Sequence, residues 1–406
     1  MHKRLLIAVI LGIFLSSTTV IVINFAVDPY GLYRVIDKSG FNQQKEGVRN
    51  KIRLVKFLEI PLRKPRTILL GSSRTHDGID PQDKILNTAG FQPVYNLGID
   101  MARIKEEKAF LEYAIANSDI KRVIFGLDFF MFNAEDRINP SFDLNHLNRR
   151  AGGVDYLKAT LLSVEALNDS IKTIRISAHD WQRREFLSNG FRPGKMVFYK
   201  VKNYNALHYN TNYTFLTPYD SKTKYYSHFS LDKEVFNDFN ELLQLCKNHD
   251  IDLKLYISPA HANLDGEALR ASGHWELMRS WKREIVNIVS KSGYELWDFS
   301  GYNSVTTEQI SDPMSNYWDS SHFTEKIGGD ILRRMLGKSE GVPSDFGLLL
   351  NQKNIEVHLK QIELDRTTYI FRNRLSMVQT LQEFEDIVMG APLDLSRIAT
   401  IFKEKS

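Results

Sequence analysis

Between Leu5 and Val27 the chain carries no charged side chain for 23 residues. As a helix, that run is about 34 Å long, enough to cross a hydrocarbon core of about 30 Å. It ends Ile23-Asn24-Phe25-Ala26-Val27-Asp28-Pro29, without the small-residue pattern of a cleaved export signal, so an uncleaved anchor over residues 1–27 is expected. Lys3 and Arg4 precede the run and favour an amino end in the cytoplasm. Everything after the anchor is then expected outside the cytoplasm, as a single-pass protein.

The remainder is long enough for a large core. A hydrophobic fraction of 43% and a charged fraction of 25% are ordinary globular values, and a net charge of +4 spread along the chain gives no field that argues for nucleic acid. The single cysteine, Cys246, excludes an internal disulfide and a thiolate metal cluster.

After a polar stretch over 28–65 read as a linker, short apolar runs at 67–70, 94–97, 123–127, 253–257 and 294–299 read as buried strands. Helical periodicities lie between them, among them Val235, Phe239, Leu242, Cys246 and Met278, Trp281, Ile285, Ile288. Strands alternating with helices predict a three-layer α/β/α domain with a mostly parallel sheet over 66–336. Residues 133–229 interrupt the alternation as an insertion whose second half holds Tyr199, Tyr204, Tyr209, Tyr213, Tyr219, Tyr225 and Tyr226. These rings suit either a packed lid or carbohydrate faces. Residues 337–406 read as a helical extension, with apolar positions at Ile355, Leu359, Ile362 and then Leu375, Val378, Leu381.

Candidate chemistry begins where the first strand ends, in Gly71-Ser72-Ser73-Arg74. Ligands gather at the carboxyl ends of parallel strands, which places the Ser73 hydroxyl as a nucleophile. Such a hydroxyl needs an imidazole base, and the imidazole needs a carboxylate to hold its tautomer. Asp319-Ser320-Ser321-His322, after the last predicted strand, supplies both from one tight turn. A pair at this spacing arises by chance about once in such a chain, and a second, Asp143 and His146, lies in the insertion. Position favours Asp319 and His322.

The order Gly71-x-Ser73, Asn96-Leu97-Gly98, Gly126-x-Asp128 and Asp319-x-x-His322 resembles the SGNH hydrolase superfamily. Within it, the chain resembles the membrane-anchored branch of bacterial cell-surface acyl transfer, such as the alginate O-acetyltransferase-like and D-alanyl transfer proteins. The resemblance covers about 67–336. It implies an SGNH, flavodoxin-like fold, with Ser73 as nucleophile, His322 as base, Asp319 as its orienting partner, and the Ser73 and Gly98 backbone amides as oxyanion donors. It also implies O-acyl transfer to a cell-surface glycan, with a multi-spanning acyltransferase as a candidate partner. An esterase or deacetylase that uses water as acceptor, and a non-catalytic partner protein, are the alternatives.

One position departs from that pattern. Asp128 stands where the superfamily has an asparagine, and a carboxylate would repel an oxyanion that a single donor stabilises by about 3 kcal/mol. Either Arg74 and Asn96 supply donors instead, or Asp128 turns away to a basic side chain. His261, just past a strand end, is a candidate for substrate binding or a loop histidine bonded to backbone, and His274 reads as structural. The scattered histidines offer no metal motif, and no glycine-rich phosphate loop opens the first helix, so neither a metal nor another cofactor is expected.

Overall fold

The computed structural model describes residues 2–87, 90–135, 138, 142, 154–180, 184–217 and 229–401. The chain divides into two compact units, one of residues 1–64 with 140–192 and the other of 65–139 with 193–406.

The first unit begins with one helix, His2–Val27, long and apolar enough to cross a membrane. Its outer surface is exposed from His2 to Ile23 except for partial cover at Ser17 and Val20. Residues 28–65 do not form a plain linker, because helices span Glu46–Asn50 and Ile52–Arg63. Val48, Val55, Phe57, Leu58 and Ile60 are buried there, together with Lys45, Arg53 and Lys56. Buried charge is tolerated where it finds a partner. Asp28, at φ 50, accepts the backbone N–H groups of Leu32, Tyr33 and Arg34 and faces Lys45 Nζ at 4.0 Å. Lys56 Nζ donates to the Gly190 carbonyl at 2.9 Å. Helices Val154–Leu161 and Val164–His179 complete this unit.

The second unit is built on a six-stranded sheet: β1 Thr67–Leu70, β2 Val94–Asn96, β3 Arg122–Leu127, β4 Asp252–Ile257, β5 Glu295–Asp298 and β6 Leu348–Leu350. Their order is β2-β1-β3-β4-β5-β6, with β1 to β5 parallel and β6 antiparallel to β5. The α/β class and the five parallel strands match the alternation in the sequence. The edge strand β6 falls in the stretch whose pattern predicts a helical extension, since three leucines without alternation carry no strand signal. The apolar positions of Lys233–Asn248 and Trp275–Ser292 are buried as their spacing implies.

In this order the chain leaves β1 for β2 on one side and comes back to β3 on the other. Such a reversal opens a crevice at the carboxyl ends of the two strands. β1 there runs into Gly71, whose φ of +141 favours glycine and where a Cβ would stand 2.2 Å from Thr75 Oγ1. The chain can then enter the short helix Ser73–Gly78.

Helices Ile355–Arg372 and Arg374–Val388 follow β6. Ile355, Leu359 and Ile362 are buried as expected, but in the second helix Met377, Phe384 and Ile387 are buried while Leu375 and Val378 are exposed. Tyr204 and Tyr209 of the tyrosine-rich stretch are buried, and Tyr213 donates to the Ala391 carbonyl at 3.3 Å. These rings pack in the second unit. Tyr219, Tyr225 and Tyr226 lie outside the described residues.

Candidate active site

Of residues 71–79, only Ser73 is not buried. Ser72 caps the helix by accepting the Arg74 N–H at 3.2 Å, which leaves Ser73 at the first helical position. The two serines therefore divide the work of capping and presenting a hydroxyl.

The second half of the site is the turn Trp318–His322, closed by a bond from the Trp318 N–H to the His322 carbonyl at 2.8 Å. Asp319 Oδ1 accepts the N–H groups of Ser321 and His322, each at 2.7 Å. Phe323, fully buried, fixes this turn against the Ser73 helix, for a Cβ added at Gly78 would stand 2.2 Å from its ring.

This packing brings together residues separated by 249 positions. The Ser73 hydroxyl lies 2.9 Å from His322 Nε2, and His322 Nδ1 lies 2.9 Å from Asp319 Oδ2 and 3.0 Å from Oδ1. A carboxylate only accepts, so Nδ1 carries the proton and Nε2 is left to accept from Ser73. Burial alone would raise the Asp319 carboxyl, but the His322 imidazole and the backbone donors outweigh it and hold it down at about 2. It stays ionised at neutral pH. Asp143 and His146, the competing pair, lie outside the described residues.

Asp128 does not face Ser73. Its Oδ2 accepts the Ser72 hydroxyl at 2.5 Å and its Oδ1 accepts Arg74 Nη1 at 2.8 Å. Arg74 also reaches Asp265 through both terminal nitrogens, at 3.1 and 3.3 Å, and Ser321 Oγ at 3.1 Å. Arg74 is thus a buried tie between the Ser73 helix, the end of β3 and the Asp319 turn. A cavity of about 20 Å³ borders Arg74, Asp128, Asp265 and Lys282. It has room for about one water.

The other candidates are equally engaged. Asn96 Nδ2 donates to the Thr75 and Ile79 carbonyls at 2.9 Å each, and Asn96 Oδ1 accepts the Gly98 N–H at 2.8 Å. The amide expected from the resemblance to serve an oxyanion is occupied by Asn96. His261 is buried, with Nε2 donating to the Glu308 carbonyl at 2.8 Å and Nδ1 accepting from Asn263 at 3.2 Å. It is bonded to backbone on both nitrogens and does not face the crevice.

Several neighbours escape sequence reasoning. Phe198 lies 5.7 Å from the His322 ring and stacks on Trp318 at 5.8 Å, walling one side of the imidazole. His208, fully buried, lies 3.0 Å from Ser320 Oγ beneath the same turn and meets the His261 ring edge-on at 5.3 Å. Neither carries a motif, and both come from the irregular insertion. Asp265 sits past β4 with nothing in its spacing to mark it. Among the described residues no group of acidic, histidine or cysteine side chains could hold a metal ion.

No known family's sequence model matches the chain, and no curated protein matches it.

Proposed function

We propose that this protein is a membrane-tethered serine acyl enzyme that works outside the cytoplasm and moves an acyl group, such as acetyl, onto a cell-surface glycan. The observation that carries the reading is the relay Asp319, His322, Ser73, with both hydrogen bonds at 2.9 Å. The reversal between β1 and β3 puts that relay where ligands bind in parallel α/β sheets. On this reading the sheet belongs to an SGNH-type three-layer domain with a helical extension after residue 336.

The chemistry follows from the geometry. Ser73 Oγ attacks the acyl carbonyl as its proton passes to His322 Nε2, and the imidazolium formed is stabilised by Asp319. His322 then returns that proton to the leaving oxygen, which departs with the C–O bond electrons and leaves the acyl group on Ser73. A glycan hydroxyl gives its proton to His322 and attacks the ester, and His322 passes that proton to Ser73 Oγ as the ester C–O bond breaks, restoring the serine. The Ser73 backbone N–H, in the first helical turn where no intrahelical acceptor exists, is the remaining member of the expected donor pair. Attack by water instead of a hydroxyl would make the same site an esterase. The uncharged helix at the amino end, preceded by Lys3 and Arg4, supports the tether and its orientation.

The test is mass spectrometry of full-length protein in detergent after mixing with p-nitrophenyl acetate, with and without an acceptor polysaccharide. The expected result is an acetyl adduct on the Ser73 peptide that decays faster with the polysaccharide, which gains the acetyl group. Decay at one rate with free acetate as the product favours the esterase. Absence of any Ser73 adduct overturns the enzyme and leaves a non-catalytic partner of an acyltransferase.

A further inference from the structure

A hairpin of the first unit is built against the end of the apolar helix. Asn24, fully buried, donates from Nδ2 to the Leu161 carbonyl at 2.8 Å and accepts the Ser170 hydroxyl at Oδ1, also at 2.8 Å. It thereby clamps the end of helix Val154–Leu161 and the middle of helix Val164–His179 to one point. Further along the second helix, Ser177 Oγ accepts the Gln44 N–H at 3.0 Å.

The depth of that point can be counted. A core of about 30 Å takes about 20 helical residues, which from Leu5 ends near Asn24. Leu162 directly follows Leu161, whose carbonyl meets Asn24, so the turn begins at the height of Asn24. Both hairpin helices pack along His2–Val27, and the partial cover at Ser17 and Val20 lies on the Asn24 face, one and two turns deeper. The tip is also apolar where a soluble turn would be polar. Leu157 is 49% exposed, Leu162 41%, Val164 75% and Ile171 48%. Among the described residues Glu165, beside it, is paired with Lys51 at 2.8 Å, Lys172 meets the buried Asp169 at 3.8 Å, and Lys158 and Arg175 are exposed.

We infer that the turn at Leu162 to Val164 is a lipid-inserted wedge, seated in the headgroup and upper acyl region of the leaflet where the apolar helix ends. Apolar side chains flanked by basic ones are the pattern of an interfacial segment on anionic lipid. The wedge fixes the height and rotation of the first unit, which a single helix leaves free. It rests on the proposal that His2–Val27 spans the membrane.

The experiment uses full-length protein in vesicles of phosphatidylcholine and phosphatidylglycerol, labelled with a nitrobenzoxadiazole thiol probe at V164C or L11C in separate preparations. Cys246 is buried, so the unsubstituted protein is the labelling blank. With nitroxide-carrying lipids, emission from V164C should be lost mostly to the shallow nitroxide and that from L11C mostly to the deep one. Quenching at L11C but not at V164C overturns the wedge and leaves the span standing, whether water, a second copy or another protein covers the tip. No quenching at either site removes the span and the wedge together.

Discussion

Replacing Asp128 with asparagine decides between the two roles open to that residue, because they predict opposite signs. If the carboxylate faced the reacting carbonyl, the amide would remove a repulsion and add a donor, and the rate would rise by a factor on the order of 100. The structure instead holds Asp128 on the Ser72 hydroxyl at 2.5 Å and Arg74 Nη1 at 2.8 Å. In Asp128→Asn one oxygen must become a donor, so either Arg74 meets an N–H group or Ser72 must turn its hydroxyl round. Breaking a buried ion pair typically costs 3–5 kcal/mol. Asp265 still holds Arg74 from the other side, which puts the expected loss at the low end, about 3 kcal/mol. At roughly 2 °C or slightly less per kcal/mol for a unit of this size, the melting temperature should fall by about 5 °C. Labelling of Ser73 by a serine-directed fluorophosphonate should slow, because Ser72 caps the helix that carries Ser73. Differential scanning fluorimetry and timed labelling read both quantities on one preparation. Faster labelling at unchanged stability would refute the structural role.

The other expectations concern the relay and its surroundings. Ser73→Ala should abolish fluorophosphonate labelling while leaving the melting temperature nearly unchanged, since a partly exposed hydroxyl is removed; equal labelling would reject Ser73. Asp319→Asn should slow labelling by a factor on the order of 10⁴, because the amide can present a donor where His322 Nδ1 needs an acceptor; a loss of less than about tenfold would remove Asp319 from the relay. Burial, helped in His208 by the neighbouring His261, holds the two histidines down to about 3 and about 4. Unfolded, each takes up a proton near pH 6.5, so below that the unfolded chain binds more protons and stability falls with pH until the folded groups titrate. Between pH 7.5 and pH 5 each should cost about 2 kcal/mol, and urea unfolding of His208→Gln should show that much less pH dependence than wild type. Identical curves would show that His208 is not buried and neutral.

Much of the site was readable because its parts obey local rules. A small turn after an apolar run marks a strand end, and Asp319 and His322 sit close enough in sequence for one turn to hold both. The roles of Asp128, Asn96 and Gly98 were not readable, since each depends on which neighbour takes a hydrogen bond. Asn96, which looked like a donor for substrate, spends its amide on the Thr75 and Ile79 carbonyls. The first unit was hidden for a related reason. Lys45, Arg49, Lys51 and Arg53 looked like a solvated stretch, and a count of charges does not reveal that Arg49 meets Glu185 at 2.5 Å or that Lys51 meets Glu165 at 2.8 Å. Burial pushes Lys45 down to about 8 against the pull of Asp28, which no linker would do.

The two units are interleaved along the chain, and this gives the protein an order of assembly. Every residue of the first unit has been synthesised by position 192, when the second unit has only β1, β2 and β3. β3 must then wait for β4 at 252–257 to cover its open edge, and Ser73 waits longer still, until His322 leaves the ribosome. At about 5–20 residues per second, the 130 residues from 192 to 322 take roughly 7–26 s. Through that interval the Ser73 helix exists without His322. A nascent chain therefore lacks the hydrogen bond between Ser73 and His322 until about four fifths of it has been synthesised.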